Sequence, residues 1–124
     1  MDTSAQALIA ARPLSLRYSL LALLARLPQI ASIQSVEDTR SMLAIMSVTR
    51  PELVVLDINL PGEDSSAVLA QIKAIAPRAR VVVLVDHIEQ QQDLQGAPVD
   101  LVLLKGHPAA DLFARLERLL GQAD

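Results

Sequence analysis

The 124-residue sequence contains no cysteine and no tryptophan, and Tyr18 and Phe113 are its only phenyl-type aromatics. Without cysteine there is no disulfide, no thiol catalysis and no thiolate metal site. His87 and His107 are the only two histidines and are not spaced as a ligand pair, so a histidine metal cluster is excluded as well. With so few aromatics the core has to be built from Leu, Val, Ile and Ala. No apolar run approaches the roughly 20 residues that cross a bilayer. The start, Met1-Asp2-Thr3-Ser4, lacks the positive region of a secretory signal. These absences make a cytoplasmic location without membrane contact the expectation. The 11 basic residues against 14 acidic ones give a formal net charge of -3 and form no basic stripe, so this chain is not expected to bind nucleic acid directly.

What the chain does have is apolar sequence in short, punctuated runs. Hydrophobic residues make up 52% and charged residues 20%, in a length that suits one core, and residues 1–124 read as a single domain. The organising stretch is Leu53-Val54-Val55-Leu56-Asp57-Ile58-Asn59-Leu60-Pro61-Gly62. An unbroken apolar run that ends on an acid and a Pro-Gly turn fits a strand buried on both faces of a parallel sheet. Val81 to Val85 and Leu101 to Leu104 have the same character. Gln6 to Ala11 reads as a weaker first strand, and Ile30 to Val36 as a less buried one near an edge.

Helical spacing fills the intervals. Leu16, Leu20, Leu23, Leu24 and Leu27 form a broad stripe on a helix from Leu14 to Leu27, opened by Pro13 and stopped by Pro28. Tyr18 on that helix reads as a packing residue. Asp38 and Thr39 can cap a second helix running to about Thr49. A third runs from about Ser66 to Ile75. Only a short helix fits between Ile88 and Leu94, where the glutamines at 90, 91 and 92 read as a solvated face. Pro108 opens a last helix that Gly121 can cap. All seven prolines fall at element boundaries. The βαβαβαβαβα order implies a parallel sheet covered by helices on both faces.

In such a sheet functional groups gather at the carboxyl ends of the strands. Asp57, Asp86 and Lys105 each follow an apolar strand directly. A carboxylate beside an ammonium can serve as a nucleophile toward a phosphoryl group, or it can be a structural ion pair closing the mouth of the sheet. Metal-assisted phosphoryl transfer needs further oxygen ligands. The end of the first strand, where they would be placed, holds Ala10, Ala11 and Arg12. A small-molecule enzyme is not expected, since there is no glycine-rich phosphate loop, base–nucleophile pair or metal cluster.

The segment Arg50-Pro51-Glu52-Leu53-Val54-Val55-Leu56-Asp57-Ile58-Asn59-Leu60-Pro61-Gly62, with Leu103-Leu104-Lys105-Gly106, resembles the receiver domain of bacterial two-component response regulators, closest to those that precede LuxR-like output domains. The resemblance covers essentially the whole chain. It implies a three-layer α/β/α sandwich of the flavodoxin-like kind, with a five-stranded parallel sheet of order 2-1-3-4-5. It implies Asp57 as acceptor of a phosphoryl group from a histidine kinase and Lys105 as its contact. Asn59 would lend its backbone carbonyl to a Mg²⁺ ion that Asp57 also binds.

Departures from the family pattern are equally specific. Ala10 and Ala11 stand where members carry an acidic metal-binding pair. Val85 replaces the switch Thr or Ser, and Val102 the switch Tyr or Phe. The pattern resembles an atypical receiver that needs no cofactor and acts mainly through protein contacts, as a homodimer or with a histidine kinase or output domain. The other reading is a working phosphoacceptor with rearranged Mg²⁺ ligands, regulating a DNA-binding output domain in a longer parent protein. Asp86, Glu37 and Asp38 are possible substitute acids, and Arg12 could pair with Asp57 in place of the metal. Partner surfaces are expected on the fourth helix, fifth strand and last helix, or on the leucine-rich first helix.

Overall fold

Each apolar run of the sequence forms a strand, and each run with helical spacing forms an α-helix or, between Ile88 and Leu94, a short 3₁₀ helix. The computed structural model describes residues 5–12, 14–60 and 64–121. In chain order these form β1 (Ala5–Ala10), α1 (Leu14–Leu24), β2 (Ile30–Val36), α2 (Thr39–Thr49), β3 (Leu53–Asp57), α3 (Ser65–Ile75), β4 (Arg80–Val85), a 3₁₀ segment (Ile88–Leu94), β5 (Leu101–Leu104) and α4 (Ala109–Gly121). The strands are parallel in the order β2-β1-β3-β4-β5, so β2 is an edge strand and β3 is central. The Pro61-Gly62 turn and Pro13 lie outside the described residues.

Side-chain alternation splits the core into two layers. On one face Leu8, Val54, Leu56, Val81 and Val83 pack under Met42 and Met46 of α2 and Val68, Leu69 and Ile72 of α3. On the other, Ile9, Leu53, Val55, Val82 and Leu84 pack under Leu20, Leu23 and Leu24 of α1 and Leu112, Leu116 and Leu119 of α4. The result is the three-layer α/β/α sandwich. Its core uses branched aliphatic residues and methionine, as the shortage of aromatics requires. Phe113 lies at the margin, where the Arg26 guanidinium sits 4.9 Å from its ring centroid and ties the end of α1 to α4.

Several local expectations need correcting. The α1 helix closes at Leu24 rather than Leu27. The following turn tightens, with Leu27 N–H donating to Leu24 O at 3.0 Å, because Pro28 disfavours helical backbone at the residue before it. Tyr18 does not pack into the core and is 62% exposed. The leucine stripe itself turns inward and covers the sheet. Gly121 is the last residue of α4 rather than a cap beyond it.

The register sets the site. Ala10 lies opposite Leu56, Asp57 opposite Leu84, and Val85 opposite Leu104. The carboxyl ends of β1, β3, β4 and β5 are therefore level at one edge. At the opposite edge Arg50 closes α2 in the left-handed conformation, with φ 48°, and its N–H donates to Met46 O at 3.0 Å. A residue with a Cβ is strained there, and glycine is not. The Arg50→Gly variant should therefore gain about 0.5–1 kcal/mol of stability, read as a higher urea midpoint with an unchanged slope.

Candidate functional site

The site begins with a buried carboxylate. Asp57 ends β3 and is only 3% exposed, the one buried polar or charged residue among those described. Its Oδ1 accepts from two donors, the backbone N–H of Asn59 at 3.0 Å and Lys105 Nζ at 2.8 Å. Lys105 is held level with it because its own N–H donates to Val85 O at 3.0 Å, extending the β4–β5 ladder by one residue. β4 stands between β3 and β5, so the residue leaving β4 lies between acid and lysine.

That residue is Asp86. Its Oδ1 lies 3.1 Å from Lys105 Nζ, and its Oδ2 accepts from the Asn59 side-chain amide. The Lys105 ammonium thus bridges an inner, buried carboxylate and an outer, partly exposed one. Hydrogen bonding to Lys105 lowers the Asp86 carboxyl below its ordinary value. Partial burial opposes the shift, while the lysine charge and the Asn59 amide reinforce it.

Gln90 belongs to the same network. Its Oε1 accepts from the N–H groups of Asp86 at 2.7 Å and His87 at 3.1 Å, and its Nε2 lies 3.4 Å from Asn59 Oδ1. The glutamine run was read as a solvated face, and for Gln90 that is corrected. The available signal was its position three residues after His87, the residue that precedes the 3₁₀ segment. A Gln there can reach back to the first orphan N–H, as in a capping box.

The other candidates go elsewhere. No ion pair joins Arg12 to Asp57 among the described residues; Arg12 is exposed and its charge acts on Asp38. Asp38 caps α2, accepting from Ser41 N–H at 2.7 Å, a bond that holds its carboxyl below the ordinary range. Glu37 pairs with Arg17 at 3.5 Å. Ala10 and Ala11 are fully buried at the end of β1. Val85 is buried, and Val102, half-buried, packs against the same core layer.

These residues do not fit a magnesium ion. Mg²⁺ takes oxygen ligands in near-octahedral array, but β1 delivers two methyl groups to this edge. The two carboxylates that do meet here are bridged by an ammonium already. Among the described residues no group of three or more His, Cys, Asp or Glu is placed to hold a metal ion.

An open parallel sheet of order 2-1-3-4-5, with an acid and a lysine at its carboxyl edge, defines a receiver-type α/β protein. The chain belongs to the response regulator receiver domain family, whose model matches residues 15–117, and it is a receiver module of two-component signalling. Solved receivers share the fold. The chemotaxis response regulator CheY4 of Vibrio cholerae superposes with a TM-score of 0.82 at 18% identity, over 93% of this chain and 98% of that one. The receiver domain of the sensor histidine kinase PA1611 from Pseudomonas aeruginosa, described with a magnesium ion coordinated in its active-site cleft, gives 0.81 at 18% identity, over 96% and 99%. A LuxR-family two-component response regulator from Aurantimonas gives 0.82 at 21% identity, over 96% and 87%. No curated protein matches the chain by sequence. No helix among the described residues is long and apolar enough to cross a membrane.

The bridge makes two variants unequal. Removing Lys105 leaves buried Asp57 without its cation, whereas removing Asp57 leaves Lys105 its bond to Asp86. Lys105→Ala should cost up to about 3 kcal/mol, while Asp57→Asn should be neutral or slightly stabilising; urea denaturation of both variants checks the order. Asp86 sets an acid dependence. Since its folded-state value lies below the ordinary 3.8, its stabilisation is present above that pH and is lost as the pH falls further through the folded value. The partly exposed position makes the effect small. The stability gap between wild type and Asp86→Asn, followed from about pH 6 to about pH 3, should narrow toward the acid end.

Proposed function

We propose that this receiver signals mainly through protein–protein contact, with Asp57 an inherited phosphoacceptor that does not undergo efficient Mg²⁺-dependent phosphorylation. The observation that carries this reading is the double ion pair of Lys105 with Asp57 and Asp86, next to two buried alanines at the end of β1. Phosphoryl transfer is catalysed largely by offsetting charge on the transferred group. Here the added negative charge would meet Asp86 at its edge and no dication to balance it. In the family the switch passes through a hydroxyl at the end of the fourth strand and an aromatic in the fifth. Val85 and Val102 offer neither, which supports a constant rather than a switched contact surface.

Partners fit the family: a histidine kinase, an output domain or a second copy of the chain. Exposed apolar side chains supply contact points, with Leu14 and Tyr18 on α1 at 49% and 62% exposure and Ile88 on the 3₁₀ segment at 63%. The second reading, a working acceptor with rearranged ligands, draws on Asp86, which does approach the cleft. Against it stands the lysine that Asp86 binds. We further propose that residues 1–124 act as one domain, in the cytoplasm, alone or beside an output domain.

Incubation with acetyl phosphate and Mg²⁺, read by intact mass, should show no rapid stoichiometric adduct. Full addition mapped to Asp57 would defeat the reading.

A further inference from the structure

Asp86 does more in this cleft than pair with a lysine. Its two oxygens take two different donors, the Lys105 ammonium at 3.1 Å and the Asn59 side-chain amide. Lys105 Nζ also lies 2.8 Å from Asp57 Oδ1, and the backbone N–H of Asn59, a separate donor from its side-chain amide, lies 3.0 Å from the same atom. An ammonium and an amide N–H converging beside an acid form a small oxyanion-binding set. An oxyanion beside Asp57 would meet the Lys105 ammonium, with the Asn59 amide on the Asp86 side of it. A carboxylate and a phosphate present the same kind of acceptor, an oxygen sharing delocalised negative charge.

We propose that Asp86 is a tethered oxyanion ligand of this cleft, filling from within the chain the place that a phosphate-type oxyanion would take on Lys105 and Asn59. Tethering gives it an advantage that a free anion at millimolar concentration does not match, because a group fixed to the chain acts at a high effective concentration. It also repels a second anion directly. The proposal rests on the reading of the cleft as one that is not phosphorylated, and it adds what holds the donors instead.

The consequence reaches the surface. Asp86 N–H and His87 N–H both end on Gln90 Oε1, and Gln90 Nε2 lies within reach of Asn59 Oδ1. Asp86, Asn59 and Gln90 therefore form a closed ring that fixes the start of the 3₁₀ segment to the cleft. Ile88, exposed within that segment, is held in one place without a phosphoryl group.

Metal-free titration of the full chain with inorganic phosphate, in chelator, tests this without invoking phosphoryl transfer. The readout is the Asn59 and Gln90 side-chain amide signals in ¹⁵N NMR spectra. Asp86→Ala should bind phosphate at least about tenfold more tightly than wild type. Saturating phosphate should return the shifted Asn59 signal toward its wild-type position. Asp93→Ala removes the same charge from the same segment without touching Lys105 or Asn59, and should bind as weakly as wild type. Equal affinity in wild type and Asp86→Ala, or an equal gain in Asp93→Ala, would overturn the proposal. An adduct at Asp57 in the acetyl phosphate experiment, with the phosphate result as expected, would remove the reading of an inactive acceptor and leave Asp86 as a competitor for its donors.

Discussion

Taking a carboxylate out of water costs several kcal/mol unless a cation and hydrogen-bond donors meet it where it is buried. Asp57 is that carboxylate, and its position is fixed by everything beneath it. The apolar residues of β3 are buried on both faces, so the strand cannot shift without moving its whole set of side chains. The acid at its end is carried to the edge of the sheet, where Lys105 is the cation that reaches it. Lys105 is placed by the ladder between β4 and β5, so the pairing depends on strand order as much as on residue type.

Strand order also explains why Asp86 matters. Because β4 lies between β3 and β5, the first residue beyond it stands between the acid and the lysine. A side chain there can either share in the charge balance or disturb it. With alanines at the end of β1, the edge carries fewer negative charges than an acidic pair would bring. One ammonium then serves two carboxylates, and no dication is called for. The loss of acids on β1 and the engagement of Asp86 by Lys105 are two sides of one electrostatic arrangement.

Most of the fold was legible because its signals are local. Unbroken Val and Leu runs, prolines at boundaries and leucines at helical spacing each name an element without tertiary information. The strand order came with the family resemblance rather than from periodicity. The site was legible in part. Asp57 and Lys105 announce themselves as charges at the ends of apolar strands. The destination of Asp86, Arg12, Glu37 and Asp38 was open, since each sits in a loop and loop direction is set by neighbours far away in sequence. Asp38 went to the helix it precedes, Glu37 to Arg17, and Asp86 alone joined the cleft. Gln90 was missed although its bonds to Asp86 and His87 are local; only its contact with Asn59, 31 residues earlier in the chain, needs tertiary structure.

A switch needs an element with two arrangements of nearly equal free energy, and a ligand that prefers one of them. The region after β4 meets neither condition in an obvious way. Its start is bound to the cleft through Asp86 and Gln90, and its end is anchored by Leu94, buried in the core layer beneath α2 and α3. Val85, the last residue of β4, has no hydroxyl to exchange one partner for another. A segment tied at both ends and lacking a movable donor favours one arrangement. This is the physical ground for the constant contact surface proposed above.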